Sequence, residues 1–456
     1  MDFWGIFLMI SVLAVIPLAL VKPQVGLLAW MWISIMNPHK ETFGFMVTAP
    51  VLDGIAIASI LGCLIHWGNR AASQFLPVLR VMLVFYIWCS LTTVFAVNPE
   101  AARNDWVEFT KTMLLVFLML QFLNKRHWTI ATIAVFILSM SFTTVKGGIF
   151  TLLTGGAHRV WGAPTTMWGD NNGVSLAMLM LAPMCVGFGA LFERKWLKWG
   201  FYGIGFLAII CVLGTQSRGG FVGLLALAAF MALRSKQRTL ALVLGPFILV
   251  AGFMYMPASW HDRMATILNP TEESSANARL IQWRYAIDIS LERPLFGNGF
   301  ESFFYQPYYY RYVADKDINR AVHSNIFQVL GEQGYIGLLM YLSIVAMLIF
   351  SAHRYGKLAR GQPGLEWEAA QLNMLQFTVV GYIANGLTLN LAYLDLFYFV
   401  MVIIALLISQ VKVAIGESPA QAVRKPMPRF RPRPGYGPPG YPPPRGPPPM
   451  PPQQRR

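Results

Sequence analysis

Thirteen long apolar segments alternate with polar connectors along the chain. Most of them have about 17–25 residues, the length that crosses the ~30 Å hydrocarbon core of a bilayer as an α-helix. We therefore predict an all-α, polytopic integral membrane protein with about 12–13 transmembrane helices. The second segment is short, so it either spans the membrane or forms a re-entrant or interfacial piece. The predicted segments are 3–21, 25–36, 47–67, 76–97, 107–123, 128–150, 171–192, 198–214, 218–233, 239–256, 325–350, 372–391 and 394–411.

Basic residues predict how these segments are oriented. Lys and Arg collect in alternate connectors, for example at Lys125, Arg194, Lys236 and Arg354. Because Lys and Arg accumulate on the cytoplasmic side of membrane proteins, these connectors and the basic C-terminus are predicted to be cytoplasmic. The N-terminus then lies outside. The longer connectors that fall on the outer side are 37–46, 98–106, 154–170 and 257–324.

Composition agrees with a membrane protein and excludes other classes. Hydrophobic residues make up 55% of the chain, charged residues only 12%, and the mean hydropathy is +0.50. The net charge of +15 follows from the basic connectors and the tail, so it gives no reason to expect nucleic acid as a partner. All four cysteines lie inside apolar segments, which predicts buried thiols rather than a disulfide framework or a metal cluster.

The last residues, 412–456, differ from the rest of the chain. The part after Pro419 carries eight Arg or Lys, no acidic residue and many Pro and Gly. Such a composition cannot bury a core, so we predict a disordered cytoplasmic tail. It either binds a partner, through an aromatic-lined groove or anionic headgroups, or is simply solvated.

The connector 257–324 is long enough to require internal structure. The sequence predicts a helix from Ala278 to about Glu292, capped by Asn277, and a glycine-containing turn after Arg293. Tyrosine and phenylalanine are frequent in the residues that follow this turn. The apolar face of the helix is predicted to contain Leu280, Trp283, Ile287 and Leu291.

Several cations and one histidine lie at predicted membrane borders on the outer side. Arg218 opens a span after a polar turn, where an arginine either faces a polar cavity or serves as an interfacial anchor. Arg159 is similarly placed, whereas Arg279 and Arg284 either bind an anion or solvate the loop helix. His323 lies just above the next span, and position alone leaves open whether it is catalytic or structural.

The order of these features resembles the O-antigen ligase and polymerase superfamily. The resemblance is carried by Ser217-Arg218-Gly219-Gly220, by Arg293-Pro294-Leu295-Phe296-Gly297-Asn298-Gly299, and by His323-Ser324-Asn325 with Gly331-Glu332-Gln333-Gly334. It covers about residues 155–400. The segment VKPQVGLLAWMWISIMNPHKETFGF resembles the subgroup of O-glycosylation ligases associated with exosortase A systems.

The resemblance implies a membrane glycosyltransferase of the bacterial inner membrane. Its substrate is a glycan on an undecaprenyl-diphosphate carrier, which is transferred to a hydroxyl of a protein, lipid or glycan acceptor on the periplasmic face, in O-glycosylation or exopolysaccharide assembly. His323 corresponds to the family's essential histidine and would act as the base, while arginines hold the diphosphate. No cofactor and no metal are expected. The implied residues are His323 as catalytic group, Arg218, Arg279, Arg159 and Arg284 at the donor, and Tyr305, Tyr308, Tyr309 and Asn325 at sugar or acceptor.

The same resemblance divides the chain into three parts. Residues 1–153 form N-terminal transmembrane helices, residues 154–411 a ligase-like core with the large periplasmic loop 257–324, and residues 412–456 the tail. A polymerase of lipid-linked repeat units remains an alternative, because it differs from a ligase only in its acceptor. A transporter or flippase is a second alternative, although no inverted repeat is evident. A non-catalytic scaffold is a third.

Overall fold

The computed structural model describes most of the chain. It covers residues 3–42, 44–70, 77–163, 166, 168–234, 250, 253–265, 274–313 and 321–416. Residues 417–456 of the predicted tail and most of the predicted span 239–256 therefore lie outside the described residues.

The described residues form α-helices and short 3-10 helices, with no strand among them, so the all-α prediction is confirmed. The first nine α-helices are α1 Phe3–Val21, α2 Pro23–Met36, α3 Val51–Ile65, α4 Pro77–Val94, α5 Pro99–Phe122, α6 Arg126–Thr154, α7 Asn171–Gly189, α8 Lys195–Gly214 and α9 Arg218–Arg234. The next six are α10 Ala258–Ala265, α11 Ser274–Glu292, α12 Gln306–Tyr312, α13 Asn325–Ala359, α14 Glu366–Gly386 and α15 Asp395–Ala414. The 3-10 helices are Pro38–Glu41, Gly44–Thr48, Trp67–Asn69 and Ser302–Phe304.

Many of these helices are suited to a bilayer. Within the described residues seven are long and apolar enough to cross a membrane, namely α1, α4, α6, α7, α8, α13 and α15. Two further apolar helices, α2 and α3, are shorter, which matches the short second segment seen in the sequence. Every predicted span except 239–256 overlaps with one of the helices given above. The chain is therefore a polytopic helical membrane protein.

Helices α7 and α15 form the centre of the bundle. Almost all of their residues are buried, because both are apolar around their whole circumference. Helix α7 packs against α8 and α14, while α15 packs against α5, α13 and α14. The buried apolar residues of these helices belong to one continuous core.

Hydrogen bonds bring the long connectors together on one side of the bundle. Val160 N donates to Gly214 O (3.0 Å), which joins the connector 155–170 to the end of α8. Val97 N donates to Asn298 O (2.9 Å), which joins the connector between α4 and α5 to the large loop. We call this the loop side. Its assignment to the periplasm stays a prediction from the charge pattern.

The helix of the large loop begins earlier than predicted. Helix α11 includes Ser274, so Asn277 lies inside the helix and the predicted cap is wrong. On the predicted apolar face Leu280, Ile287 and Leu291 are exposed. The buried residues of the helix are Ala278, Gln282, Tyr285, Ala286, Ile289 and Ser290.

The turn after α11 docks on a kink in α13. Gly334 interrupts α13 with a non-helical backbone (φ 70°, ψ −175°), and the freed backbone groups bond to the turn. Tyr335 N donates to Pro294 O (2.9 Å), and Gly299 N donates to Glu332 O (2.8 Å). Because glycine alone adopts such a backbone without strain, this contact explains the two glycine motifs.

Asn298 fixes the same turn from its interior. Its backbone N–H donates to Gly331 O (3.1 Å), and its side-chain Nδ2 donates to Ile289 O (3.2 Å) and Gly331 O (3.0 Å). The side chain is completely buried. The turn therefore sets the position of α11 relative to α13, and with it the two ends of the candidate site.

Candidate active site

Arg218 is held at the start of α9 by the turn that precedes it. Asn171 Nδ2 donates to Thr215 O (2.9 Å), and Ser217 Oγ donates to Asn172 Oδ1 (2.7 Å). Ser217 Oγ also accepts from Gly220 N (3.0 Å), which satisfies a free N–H in the first turn of the helix. These bonds fasten the turn to the beginning of α7, so the backbone at Arg218 is fixed from two helices.

Gln216, within this turn, connects two further arginines. Arg159 Nε donates to Gln216 Oε1 (3.3 Å), and Arg263 Nε donates to Gln216 O (2.9 Å). Gln216 Nε2 in turn donates to Gly156 O (3.0 Å). Gln216 has a positive φ of 52°, a backbone that non-glycine residues seldom adopt outside functional or tightly constrained sites.

Arg279 completes a group of four cations. Arg218 interacts electrostatically with both Arg279 and Arg263, and Arg263 interacts with Arg159. Burial lowers the pKa of Arg263, and the neighbouring charges of Arg159 and Arg279 lower it further. Burial also lowers the pKa of Arg279. We call Arg159, Arg218, Arg263 and Arg279 the arginine cluster.

The electrostatics of the arginine cluster favour an anion. Four like charges brought together repel one another, and the three half-buried ones, Arg218, Arg263 and Arg279, also lose hydration. A diphosphate relieves both costs, because its oxygens accept charge-assisted hydrogen bonds from guanidinium groups. Sequence reasoning identified Arg159, Arg218 and Arg279 but missed Arg263.

The packing of α11 on α13 joins the segments that carry Arg279 and His323. Trp283 Nε1 donates to Val322 O (3.0 Å), and the indole stacks on Phe327 with ring centroids 5.2 Å apart. Arg279 precedes Trp283 by one helical turn, on the same side of α11. His323 follows Val322 directly. The same indole contact therefore places the histidine beside the turn that carries Arg279.

The backbone and burial of His323 are unusual. Its φ is 47°, in the left-handed region, immediately before the extended Ser324 that precedes α13. The residue is half-buried, and its Nδ1 atom is shielded from solvent. Strained backbone at a non-glycine residue persists where the surroundings enforce it, often in active sites.

The tyrosines predicted to contact sugar belong mainly to a small core within the loop. Tyr309 is fully buried, accepts a hydrogen bond from Gln282 Nε2 (3.1 Å) and packs edge-on against Tyr285. Tyr308 OH donates to Glu292 Oε2 (2.7 Å). Tyr305 is half-buried at the start of α12. These contacts favour a structural role for Tyr309, while sugar contacts of the other two stay predictions.

Asn325 and Arg284 are not part of the arginine cluster. Asn325 is buried, and its Oδ1 accepts from Leu391 N (2.7 Å), which ties the start of α13 to the α14–α15 connection. Arg284 is exposed on α11, about 140° around the helix from Arg279 at 100° per residue. The geometry thus favours a structural Asn325 and a solvated Arg284.

Within the described residues, no three His, Cys, Asp or Glu side chains are grouped as metal ligands would be. The four cysteines are buried free thiols, as the sequence predicted. Whether the reaction needs a metal stays a prediction.

The fold and the site together define the class of this protein, a helical membrane protein with a cationic site on its loop side. Residues 203–342 match the family model described as O-antigen ligase, which includes Arg218, the large loop and His323. The chain therefore contains a segment similar to the O-antigen ligase family, which supports the resemblance seen in the sequence. Residues 3–187 match a family of unknown function, DUF5935. No curated protein matches the chain.

Proposed function

We propose that the chain transfers a glycan from an undecaprenyl-diphosphate carrier to an acceptor hydroxyl, on the periplasmic face of a bacterial inner membrane. The observation that supports this most directly is the arginine cluster beside His323 on the loop side. An O-antigen ligase domain supports the same class of membrane enzyme. O-glycosylation and exopolysaccharide assembly are the settings that the N-terminal resemblance favours.

The proposed reaction is a single displacement at the anomeric carbon. His323 accepts the proton of the acceptor hydroxyl, and the hydroxyl oxygen forms a new bond to the anomeric carbon. The bond from that carbon to the phosphate oxygen breaks, and its electron pair stays with the leaving diphosphate. Configuration at the anomeric carbon is inverted.

The arginine cluster stabilises the charge that develops on the leaving diphosphate. Arg279 lies on the helix that contacts the residue before His323, and Arg218 interacts electrostatically with Arg279, so we assign both arginines to the leaving group. Arg159 and Arg263 extend the cationic surface beyond Gln216, which holds both of them in position. Gln216 is thus a positioning residue.

The experiment compares variants in diphosphate binding and in glycan transfer. Calorimetric titration of the detergent-purified chain with inorganic diphosphate should show at least tenfold weaker binding for Arg218→Gln. His323→Gln should bind diphosphate like the wild type and transfer glycan about 10²–10⁴-fold more slowly, because it removes only the base. Transfer is followed in proteoliposomes supplied with lipid-linked glycan.

Arg311→Gln is a matched control, since Arg311 lies in the same loop but pairs with Glu292 on the surface. It should leave both quantities unchanged. Unaltered diphosphate binding in Arg218→Gln would contradict the donor site, and unaltered transfer in His323→Gln would contradict the base. The chemical identity of the product distinguishes a ligase from a polymerase.

A further inference from the structure

A second cavity on the loop side has a charge opposite to that of the arginine cluster. It has a volume of about 350 Å³, within the range of about 300–1,000 Å³ typical of ligand sites. It lies between the ends of α2, α5 and α15, the turn at Glu301 and the connector before α7. Four carboxyl groups line it, those of Asp105, Glu108, Glu301 and Asp395, and we call it the carboxylate cavity.

The cavity shares two walls with the proposed catalytic centre. Trp168 belongs to the same connector as Arg159, and that connector is bonded to the end of α8. Gln328 lies one turn beyond Ser324 in α13, and its backbone N–H donates to Ser324 O (2.8 Å). His323, which directly precedes Ser324, is therefore separated from the cavity wall at Gln328 by about one helical turn.

The negative charges that line the cavity are unfavourable for binding a diphosphate. Lys111 is the cation that lines it, and its Nζ is already bonded to Glu108 Oε1 at 2.9 Å. The carboxyl groups of Asp105 and Glu301 are hydrogen-bonded to each other, which requires that one of them carry a proton. The remaining carboxylates still repel an anion, so the occupant is neutral or cationic.

A buried hydrogen-bond donor in the cavity wall points to a ligand. Trp168 is 3% exposed, and its indole N–H has no hydrogen-bond partner among the described residues. Gln328 also lines the cavity, and its Oε1 accepts from Ala392 N (3.1 Å). Buried donors such as the Trp168 indole N–H are nearly always paired, so a missing partner indicates a bound molecule or water.

Donors and acceptors together match hydroxyl groups. A hydroxyl donates one hydrogen bond and accepts others, so it satisfies a carboxylate and an N–H at the same time. A cation would satisfy the carboxylates and leave the indole N–H of Trp168 unpaired. Aromatic side chains complete the wall and offer apolar faces to a sugar ring, namely Trp30, Phe109, Phe300 and Tyr393.

The backbone at Glu301 supports a specific task for its side chain. Its φ is 56°, and the docked turn that ends at Gly299 holds it in this left-handed conformation. A strained non-glycine backbone persists only where the fold enforces it. The fold thus directs the Glu301 carboxyl to Asp105, which lies on α5 in the N-terminal part of the chain.

We propose that the carboxylate cavity is the acceptor subsite and that it binds an uncharged, hydroxyl-rich sugar of the acceptor. This inference rests on the proposed transfer reaction. The acceptor hydroxyl lies in the cavity with its oxygen directed to the anomeric carbon, and the donor diphosphate lies on the arginine cluster. Opposite charges on the two sides of His323 keep donor and acceptor in their own subsites.

The test titrates the purified chain with three kinds of soluble probe. They are a panel of neutral methyl glycosides, the cation lysine amide and inorganic diphosphate, with tryptophan fluorescence as the readout. Gln328→Met and Asp105→Asn should weaken glycoside binding at least tenfold and change diphosphate binding less than twofold. Glu100→Gln is the matched control, because Glu100 is an exposed carboxylate on the same helix as Asp105.

A second measurement uses transfer in proteoliposomes. The cavity variants should raise the acceptor concentration for half-maximal rate at least tenfold and leave the corresponding donor concentration unchanged. A shift in donor concentration, no shift in either, binding of lysine amide in place of glycosides, or no glycoside binding would each overturn the inference. Failure of the proposed function has a different signature, because diphosphate binding would then not depend on Arg218.

Discussion

Gly334 offers a direct test of how the fold positions the site. A Cβ atom added there would overlap with the carbonyl oxygen of Leu295 and lie 2.7 Å from that of Pro294. Both oxygens belong to the backbone of the docked turn, which cannot yield as a flexible side chain would. We therefore expect Gly334→Ala to separate the turn from α13.

The magnitude follows from two contributions. A non-glycine residue at φ 70° and ψ −175°, a backbone region almost confined to glycine, costs about 1–3 kcal/mol. Separation of the turn breaks three backbone hydrogen bonds, from Asn298, Gly299 and Tyr335, at about 1 kcal/mol each. The loss in the free energy of unfolding should therefore be about 4–6 kcal/mol. Gly44 also has φ 70°, with nothing within 4 Å of an added Cβ, so Gly44→Ala should cost only the strain of a positive φ.

The assay is unfolding in mixed micelles of increasing dodecyl sulfate content, followed by tryptophan fluorescence. The two alanine variants should differ by about 3 kcal/mol, the hydrogen-bond share of the loss. Equal losses for Gly334→Ala and Gly44→Ala would refute the reasoning, since backbone strain alone would then explain both. A loss in Gly334→Ala without any fall in transfer activity would show that the turn does not position the site.

Two further predictions concern buried carboxyl groups. Arg126 Nε lies 2.5 Å from Oε1 of the fully buried Glu368, so Arg126→Met should lower the unfolding free energy by about 3 kcal/mol. Adding Glu368→Gln should restore most of this loss, because it removes the unpaired buried charge. A double variant without recovery would contradict this explanation. Burial, followed by the charge of Asp105, raises the pKa of Glu301 to about 7. The native state then binds more protons than the unfolded state above the ordinary value of 4.5, so the unfolding free energy should fall as pH rises from about 4.5 to 7, and Glu301→Gln should reduce this slope.

Hydrophobic periodicity predicted the helices well because the bilayer imposes a length and an apolar composition on each of them. The same signal does not show which face of α11 packs on the rest of the protein. An apolar stripe shows that one side of a helix avoids water, but it does not distinguish a protein core from another apolar surrounding. Leu280 and Leu291 form such a stripe and are exposed, whereas the contact with α13 uses Trp283.

The arginine cluster shows a different limit of sequence reasoning. The sequence indicated Arg218 and Arg279 as candidate site residues, because each lies near a predicted membrane border or in a recognisable motif. Arg263 lies on the eight-residue helix α10, and only the hydrogen bond to Gln216 O reveals its place. Gln216 itself carried no signal, since a positive φ at a glutamine is a property of the folded chain and not of the residue type.

The carboxyl pair illustrates why the N-terminal part of the chain matters for the site. Asp105 lies in the segment that matches the family of unknown function, and Glu301 lies in the O-antigen ligase segment. Arg159 and Arg263 are divided in the same way, yet both bond to Gln216. Each of the two sites on the loop side is thus assembled from both segments. The ligase segment alone contains neither the complete arginine cluster nor the complete carboxylate cavity, so the proposed function requires the N-terminal segment as part of the active unit.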